Sequence, residues 1–189
     1  MKTYSCLGDW SLSEGEYSLS AIQPSHIERI RQWRNDQMDI LRQTKTISST
    51  EQRDYFTNHI WPSMILPTPP NILLSYFYKG KLIGYGGLVH ISWRDLRAEV
   101  SFLLEPTRSK DQKIYTANFS HYLNLIKRLA FNQLGFHRLF TETFDTRPQH
   151  IFTLEKSGFK QEGVMKDHII INGEYTNSIL HGCLNHYER

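Results

Sequence analysis

Three cations, Arg108, Lys110 and Lys113, lie close together where the sequence changes from a strand pattern to a helical one. Apolar and polar residues alternate over residues 98–104, as expected of a strand, and a proline then ends the run because it has no N–H group to donate. From Ile114 onward the apolar residues recur at the spacing of one helix face. Free N–H groups at the start of a helix favour negative charge, so this turn predicts a binding site for a phosphate-bearing ligand.

The composition is that of one folded domain with both helices and strands. The 189 residues are 39% hydrophobic and 13% aromatic, which is enough apolar chain for a substantial core. The formal net charge is only +3, so nothing in the overall charge calls for a nucleic-acid partner. We expect a loose N-terminal lead-in over residues 1–15 and a single domain over residues 16–189.

The sequence carries no recognisable targeting, membrane or metal-binding signal. Its start lacks the basic residues and apolar run of a signal peptide, and glycines interrupt the longest apolar stretch, residues 82–91. Cys6 and Cys183 are far apart in sequence and the histidines show no ligand spacing, so neither a disulfide nor a metal site is predicted. We expect a cytoplasmic protein with no membrane partner.

The periodicities predict an α/β fold in which helices flank a mixed, mostly antiparallel sheet. The expected order is β-α-α-β-β-β-α-β-α-β-β, with strands at residues 17–23, 72–78, 81–91, 98–104, 138–144, 160–171 and 175–184. Ser25 with Glu28, and Ser48 with Glu51, have the spacing of capping boxes and predict the starts of the first two helices. Asn172-Gly173 is typical of the tight turn in a terminal hairpin.

The order of elements, with a ligand turn after the fourth strand, resembles the GNAT superfamily of acetyl-CoA-dependent N-acetyltransferases over residues 17–187. Three local strings strengthen the resemblance: Trp33-Arg34-Asn35, Leu82-Ile83-Gly84-Tyr85-Gly86-Gly87 and Leu154-Glu155-Lys156-Ser157-Gly158-Phe159. They are similar to the first helix, the third strand and the L-E-K-x-G-F helix end of the branch that holds ribosomal-protein and amino-sugar acetyltransferases. The resemblance implies an enzyme that transfers an acetyl group from acetyl-CoA, its co-substrate, to a primary amine without a metal.

The resemblance places CoA along the fourth strand and the cationic turn. The residues implied in its binding are Phe102, Leu103, Leu104, Thr107, Arg108, Ser109, Lys110, Asp111, Lys113 and Arg147. Backbone N–H groups near Leu103 and Leu104 would polarise the thioester carbonyl where the fourth and fifth strands splay apart. In this branch the pyrophosphate loop reads R-G-x-G, whereas here Ser109 and Asp111 replace the glycines, and Asp111 brings a negative charge near the diphosphate.

Three further positions depart from the family pattern. Leu154 stands where many relatives have a tyrosine proposed to protonate the departing thiolate. Arg147 and His150 replace the small polar residues that are usual at the start of that helix. The resemblance therefore leaves the proton donor for the thiolate unassigned.

Glu99, a carboxylate in an otherwise apolar strand, is the candidate for assisting deprotonation of the amine, directly or through water. Partial burial would favour its neutral form and make it a better proton acceptor. The alternative is an ion pair with Arg94 or Arg97 that only ties the sheet together. Tyr175, beside the turn of the terminal hairpin, is a candidate proton donor, against the alternative that it only packs.

We expect four residues to contact the amine acceptor: Arg34, Asn35, Tyr85 and His168. The resemblance places Arg34 and Asn35 beside the loop that covers the acceptor in relatives. The alternatives are that Arg34 binds the carbonyl groups of its own helix end and that Tyr85 and His168 have only structural roles. A rim of aromatic and histidine side chains suits stacking on a sugar or base: Tyr76, Tyr85, His90, Trp93 and His168. No acidic cluster for a polyamine is evident, so we predict a small amino sugar or sugar nucleotide as the acceptor. The alternatives are N-terminal acetylation of a ribosomal protein and a non-catalytic module that binds acyl-CoA. A homodimer is compatible with the sequence.

Overall fold

The structure of the protein is a computed structural model that describes residues 1–8 and 10–185. Its strands are β1 (Ser11–Glu14), β2 (Tyr17–Ala21), β3 (Ile72–Tyr78), β4 (Lys81–Ser92), β5 (Arg97–Leu104), β6 (Arg138–Phe144), β7 (Lys160–Ile171) and β8 (Glu174–Leu184). Its helices are α1 (Ile27–Asn35), α2 (Ser49–Tyr55), α3 (Trp61–Ser63), α4 (Pro106–Ser109), α5 (Gln112–Lys127) and α6 (Pro148–Lys156). A 3-10 turn (Met38–Ile40) follows α1, and π-helical turns (Phe56–Ile60 and Arg128–Gln133) extend α2 and α5. None of the described helices is both long and apolar enough to span a bilayer.

All eight strands form one sheet in the order β1-β2-β3-β4-β5-β6-β8-β7. Every neighbouring pair is antiparallel except β5 and β6, which pair in parallel over residues 97–99 and 138–140 only. Beyond this short register the two strands separate, so their carboxyl ends leave a gap in the middle of the sheet. Ligands of such sheets bind at the carboxyl ends of parallel strands, which makes the gap the natural place for a site.

The predicted α/β architecture, a mostly antiparallel sheet with flanking helices, is confirmed, with one strand added before the predicted order. That strand, β1, pairs with β2 so that Leu12 lies opposite Leu19. Tyr4 is also buried, and its hydroxyl accepts a hydrogen bond from the Leu73 N–H group at 2.7 Å. The expectation of a loose segment is therefore wrong for these positions, because their few apolar side chains complete the core.

The signals for helix starts and turns have mixed outcomes. Ser48 and Glu51 form the predicted capping box at the start of α2. The box predicted at Ser25 is wrong, since α1 begins after His26 without a side-chain cap and Glu28 pairs with Arg31 instead. The terminal hairpin turn is confirmed, with positive φ angles of 52° and 87° at residues 172 and 173.

Helix α5 packs its apolar face on the sheet beside the gap, with Phe119, Tyr122 and Ile126 buried. The Tyr122 hydroxyl donates a hydrogen bond to the Ser101 carbonyl oxygen of β5 at 2.6 Å. A Cβ atom at Gly86 would overlap both the Tyr122 hydroxyl and the Ser101 carbonyl oxygen. Glycine at this position therefore lets the helix hold β5 at the edge of the gap.

Candidate active site

The gap between β5 and β6 opens into a cavity of about 250 Å³. Strand β5 contributes Glu99, Ser101 and Phe102 to its wall, and β6 contributes Thr141 and Glu142. The predicted base and part of the predicted cofactor strand therefore face one open cavity.

Two further cavities share walls with the gap. One, of about 580 Å³, lies beside the predicted CoA turn and shares Arg147 and His150 with the gap. The other, of about 440 Å³, lies between β4 and helices α1 and α2 and shares Arg34 and Ser101 with the gap. The gap is thus the meeting point of two cavities, as a reaction between two substrates requires.

Strand β5 directs two backbone N–H groups into the gap. The Glu105 N–H donates to the Ile83 carbonyl oxygen of β4 at 2.8 Å. Because N–H groups alternate in direction along a strand, the Leu103 N–H also points to β4, and those of Phe102 and Leu104 point into the gap. The geometry therefore favours Phe102 and Leu104 over Leu103 as the donors that polarise a carbonyl.

Arg42 joins two carboxylates across the gap, and we call Arg42, Glu99 and Glu142 the acidic bridge. The Arg42 Nη2 atom lies 3.0 Å from Glu99 Oε1 on β5 and 3.0 Å from Glu142 Oε2 on β6. The second oxygen of Glu99 is 3.4 Å from His90 Nδ1, and that of Glu142 is 3.3 Å from His168 Nδ1. Both carboxylates are largely buried, whereas 45% of the Arg42 side chain is exposed. The cation is therefore the member of the bridge that solvent and ligands reach.

The partners predicted for Glu99 in a purely structural role are wrong. Arg94 and Arg97 instead lie 3.5 Å and 3.8 Å from the Asp95 carboxylate. Arg42, from the polar segment after α1, pairs with Glu99 in their place. Glu99 thus faces the gap between a guanidinium and an imidazole, and its role as a proton acceptor stays a prediction.

Arg34 and Tyr85, both predicted acceptor contacts, meet where the gap adjoins the cavity under α1 and α2. The Arg34 Nη1 atom donates to the Tyr85 hydroxyl at 2.6 Å, and its Nε donates to Gln43 Oε1 at 3.1 Å. The Asn35 side chain instead donates to the Ile47 carbonyl oxygen and accepts from the Ile47 N–H group, both at 2.9 Å. Asn35 therefore closes the polar segment over residues 36–47, and Arg34 with Tyr85 lines the cavities.

The predicted aromatic rim is only partly assembled, since Tyr85, His90 and His168 lie at the site and the other two members do not. Tyr76 is fully buried, and Trp93 packs against Phe136 with their ring centroids 5.1 Å apart. His168 does reach the acidic bridge. Tyr175 is 71% exposed near the turn of the terminal hairpin and lines none of these cavities, so its catalytic role stays a prediction.

Asp111 caps helix α5 at the predicted phosphate site. Its Oδ1 atom accepts hydrogen bonds from the N–H groups of Lys113 and Ile114, both at 2.9 Å. An anionic ligand at a helix start uses the same N–H groups. The Asp111 carboxylate and a phosphate of a ligand would therefore compete for the same N–H groups at the start of α5.

The rest of the predicted CoA turn divides into exposed and anchored residues. Three of its side chains are exposed: Thr107, Lys110 and Lys113. Lys110 also lines the cavity beside the turn. Arg108 is anchored, because its Nε lies 3.4 Å from the Glu105 carboxylate and its guanidinium lies over the Tyr78 ring, 5.4 Å from the centroid. Lys110 and Lys113 are therefore the cations of the turn that are accessible to a phosphate.

The buried side chain of Gln37 ties the turn to the rest of the site. It accepts a hydrogen bond from the Ser109 hydroxyl at 3.0 Å. It also donates to the carbonyl oxygens of Leu104 at 2.9 Å and Trp33 at 3.2 Å. The Gln37 side chain therefore connects three elements: helix α1, the end of β5 and the turn.

A buried hydrogen-bonded group, the Tyr115 network, lies where the gap and the cavity beside the turn meet. The Tyr115 hydroxyl is 2.6 Å from His150 Nδ1 and accepts a hydrogen bond from Arg147 Nη2 at 3.1 Å. Burial, reinforced by the charge of Arg147, holds the pKa of His150 well below its ordinary value, so the imidazole is neutral. Burial raises the pKa of Tyr115 to about 12 against the opposing charge of Arg147, so the phenol keeps its proton at neutral pH.

Sequence reasoning missed Arg42, Glu142 and Tyr115 as members of the site. Glu142 carried a signal, since it is a charge within a strand pattern, as Glu99 is. Tyr115 has the spacing of a core residue of α5, and Arg42 belongs to a segment without periodicity. Among the residues that the structure describes, no three His, Cys, Asp or Glu side chains are grouped to hold a metal ion.

Comparison with known proteins identifies the family of the chain and structures of the same fold. A family model described as an acetyltransferase (GNAT) domain matches residues 19–180. A solved structure of spermidine N-acetyltransferase from Vibrio cholerae with CoA and spermine is similar, with a TM-score of 0.77 and 18% identity over 90% of this chain and 96% of that chain. A dodecameric structure of the same Vibrio cholerae enzyme in an intermediate state has a TM-score of 0.73 and 18% identity, covering 90% of this chain and 95% of that one. No curated protein matches the sequence.

The domain model covers most of the chain and therefore shows the family, and the solved structures show the same fold. The narrower branch of ribosomal-protein and amino-sugar acetyltransferases stays a prediction. The chain belongs to the GNAT acetyltransferase family and is an acyl-CoA-dependent N-acetyltransferase.

Proposed function

We propose that this acetyltransferase acts on the primary amine of a small, cationic, aliphatic acceptor of the polyamine class. The observation that carries the proposal is the acidic bridge, in which carboxylates from two strands hold one cation in the gap. A primary ammonium has the charge and the hydrogen-bond donors to take the place of the Arg42 guanidinium. Because Arg42 is the exposed member of the bridge, an incoming acceptor displaces it without unburying either carboxylate.

Two observations favour an aliphatic amine over an amino sugar or sugar nucleotide. Tyr76 and Trp93 are committed to packing, so two members of the predicted aromatic rim are not free to stack on a sugar or base ring. The acidic bridge supplies a negative cluster that the sequence did not reveal. The similar solved structures are named as spermidine N-acetyltransferases, one of them with spermine, which supports the same acceptor class.

Glu99 is the proposed proton acceptor. It lies on the strand that directs the Phe102 and Leu104 N–H groups into the gap, and those groups polarise a thioester carbonyl placed there. An ammonium held between Glu99 and Glu142 gives a proton to Glu99 and becomes the neutral amine that attacks the carbonyl carbon. His90, beside the second Glu99 oxygen, offers the proton a way to solvent.

CoA is proposed to lie in the cavity beside the turn, with its thiol end in the gap. Lys110 and Arg147 line that cavity, and Lys113 is exposed at the adjoining helix start. The backbone of β5 completes the proposed contact at Phe102 and Leu104. Phosphate binding displaces the Asp111 carboxylate from the start of α5. The attraction between the phosphate and the two lysines offsets the loss of this cap.

Thiol release from acetyl-CoA, measured across a panel of amines, tests the acceptor class. We expect the highest kcat/KM for spermidine and spermine, and lower values for glucosamine, a sugar nucleotide with a free amine and ribosomal N-terminal peptides. A preference for an amino sugar or a peptide contradicts the polyamine proposal while leaving acetyl transfer in place.

Arg42→Gln sharpens the same test. Without the internal cation, the KM of spermidine should fall several-fold, because the amine no longer competes for the two carboxylates. Arg94→Gln is the matched control, since Arg94 is almost fully exposed and lies outside the gap. An equal KM in both variants, or a higher KM in Arg42→Gln, shows that Arg42 shapes the site and is not displaced.

The carboxylate of Asp111 at the helix start bears on how tightly this acetyltransferase binds acetyl-CoA. Calorimetric titration with acetyl-CoA measures that affinity before the thiol-release panel is run.

The proposed setting is a cytoplasmic homodimer. Light scattering of the purified chain measures the assembly, and fractionation of producing cells measures the location.

A further inference from the structure

The Tyr115 network places a hydroxyl group at the entrance to the gap, where the mechanism above gives it no role. Arg147 and His150 line both the gap and the cavity beside the turn, and Tyr115 lines the latter. The ring of Phe102, whose N–H points into the gap, has its centroid 6.1 Å from that of Tyr115. Because the hydroxyl is bonded to the two side chains that line both cavities, it lies beside the junction through which a thioester would enter the gap.

The position at which relatives carry a tyrosine is apolar and closed in this chain. Leu154 is fully buried and has no proton to give. The two polar side chains shared by the gap and the adjoining cavity, Arg147 and His150, are both bonded to the Tyr115 hydroxyl. That hydroxyl is therefore the group around which the polar side chains at this junction are arranged.

Arg147 and His150 determine where the Tyr115 hydrogen points. Arg147 Nη2 donates to the phenol oxygen at 3.1 Å. The neutral imidazole of His150 carries one proton, and when that proton is on Nδ1 it donates to the same oxygen at 2.6 Å. The phenol oxygen then accepts two hydrogen bonds, and its own hydrogen is left to donate to a third group. The remaining charged neighbour of His150 is His181, whose effect disfavours a second proton on the ring.

We propose that the Tyr115 hydroxyl donates a hydrogen bond to the sulfur of the departing CoA thiolate, with Arg147 and His150 as its positioning residues. In this step the amine nitrogen forms a bond to the acetyl carbon, the carbon–sulfur bond breaks, and sulfur keeps the electron pair. The amine proton passes to the base of the acceptor side. The phenolic proton stays on Tyr115, because its raised pKa exceeds that of an ordinary thiol, about 8.5. CoA therefore leaves as a thiolate that the hydrogen bond stabilises.

Titration of the thiol in the enzyme–CoA complex, followed by thiolate absorbance in the ultraviolet, tests the proposal directly. In the wild-type complex the pKa of the CoA thiol should lie below that of free CoA by about one unit or more, since a hydrogen bond to the charged form favours it. Tyr115→Phe should return the thiol pKa towards the value of free CoA. Tyr4→Phe is the matched control, because it also removes one buried tyrosine hydroxyl, which accepts a hydrogen bond from the Leu73 N–H group and lines none of the three cavities.

Turnover gives a second measurement. Tyr115→Phe should lower kcat roughly 10- to 100-fold, the usual effect of one hydrogen bond to a charged group, with little change in the KM of acetyl-CoA. His150→Phe keeps the ring that stacks on Phe119 at 4.3 Å and removes the second donor, so it should shift the thiol pKa in the same direction by less. If Tyr115→Phe does not fold, His150→Phe decides the question.

An unchanged thiol pKa in the folded variants overturns the proposal. The titration uses CoA without any acceptor, so its outcome does not depend on whether the acceptor is a polyamine.

Discussion

The two sides of the reaction gap hold their polar groups in opposite ways. The acidic bridge on the acceptor side is a set of ion pairs whose guanidinium is nearly half exposed. In the Tyr115 network on the thiol side, the phenol and the neutral imidazole of His150 are buried and lie 2.6 Å apart, and the partly buried Arg147 donates to the phenol oxygen at 3.1 Å. Exposed ion pairs weaken with salt and exchange partners, whereas buried hydrogen bonds do neither readily. The acceptor side, where an ammonium would replace Arg42, thus consists of ion pairs that can exchange partners. The thiol side, where one sulfur atom would be held, consists of hydrogen-bond donors in fixed positions.

Glu99→Gln should have the largest effect, because it breaks the acceptor side at the proposed base while keeping its shape. Turnover with spermidine should fall by ~10²–10⁴-fold, the usual contribution of a positioned base, with the melting temperature and CoA affinity close to wild type. The loss should shrink at high pH, where more of the amine is already neutral. Steady-state thiol release at saturating acceptor, measured across pH, is the check.

Glu142→Gln is the matched control for the base, since both carboxylates bond the same Arg42 nitrogen. We expect a higher spermidine KM and a much smaller loss of kcat. Equal losses in the two variants would mean that neither carboxylate is the base. A Glu99→Gln protein that melts early but has normal activity per folded molecule would make Glu99 structural.

Reversing both charges in the CoA turn, with Lys110→Glu and Lys113→Glu, should have the next largest effect. The dissociation constant of CoA should rise roughly tenfold and its salt dependence should weaken, because fewer cations then face the phosphates. The matched control is Lys160→Glu with Lys166→Glu, which makes the same charge change on the exposed face of β7. Calorimetric titration at two salt concentrations measures both effects, and equal changes in the two double variants contradict phosphate contact at the turn.

The sequence predicted those parts of the site that depend on the periodicity of one strand or helix. It did not predict contacts between side chains that are distant in sequence and that only the fold brings together. The alternation over β5 and the helical spacing after it correctly predicted a strand followed by a helix, and the strand lines the gap. Arg42 meets Glu99 only because the segment after α1 folds over two separating strands. The aromatic residues at 76 and 93 have no pattern that tells a buried ring from one at a cleft. The Tyr115 network depends on how α5 packs against α6, which residue spacing does not specify.

His150, on the thiol side of the gap, should lower the free energy of unfolding of the protein in acid. The pKa of His150 is lowered by burial in the folded state, so below about pH 6.5 the unfolded chain binds a proton that the folded chain does not. Stability should therefore fall as pH decreases from about 7 to 5, by up to about 1.4 kcal/mol per pH unit for this group. Denaturant unfolding measures the slope.

His150→Phe should reduce that slope without abolishing it. His26 and His181 also have pKa values lowered by burial, and they remain in the variant. An unchanged slope would mean that His150 gains its proton without unfolding, which contradicts a rigid, neutral imidazole in the Tyr115 network.

Asp111 variants should give the smallest effect and test the competition at the start of α5. Asp111→Asn keeps a capping oxygen and removes the charge, so CoA should bind a few-fold more tightly with little change in stability. Asp111→Ala removes the cap as well and should lower stability by about 1 kcal/mol. Weaker CoA binding by the Asn variant would mean that the carboxylate makes a favourable contact with the ligand or its lysines.

The three hydrogen bonds of Gln37 join the helix that carries Arg34, the strand that carries the gap amides and the turn proposed for CoA. Any ligand that shifts one of these elements changes the hydrogen bonds of the other two. A single buried amide therefore couples the positions of the three elements that line the two cavities on either side of it.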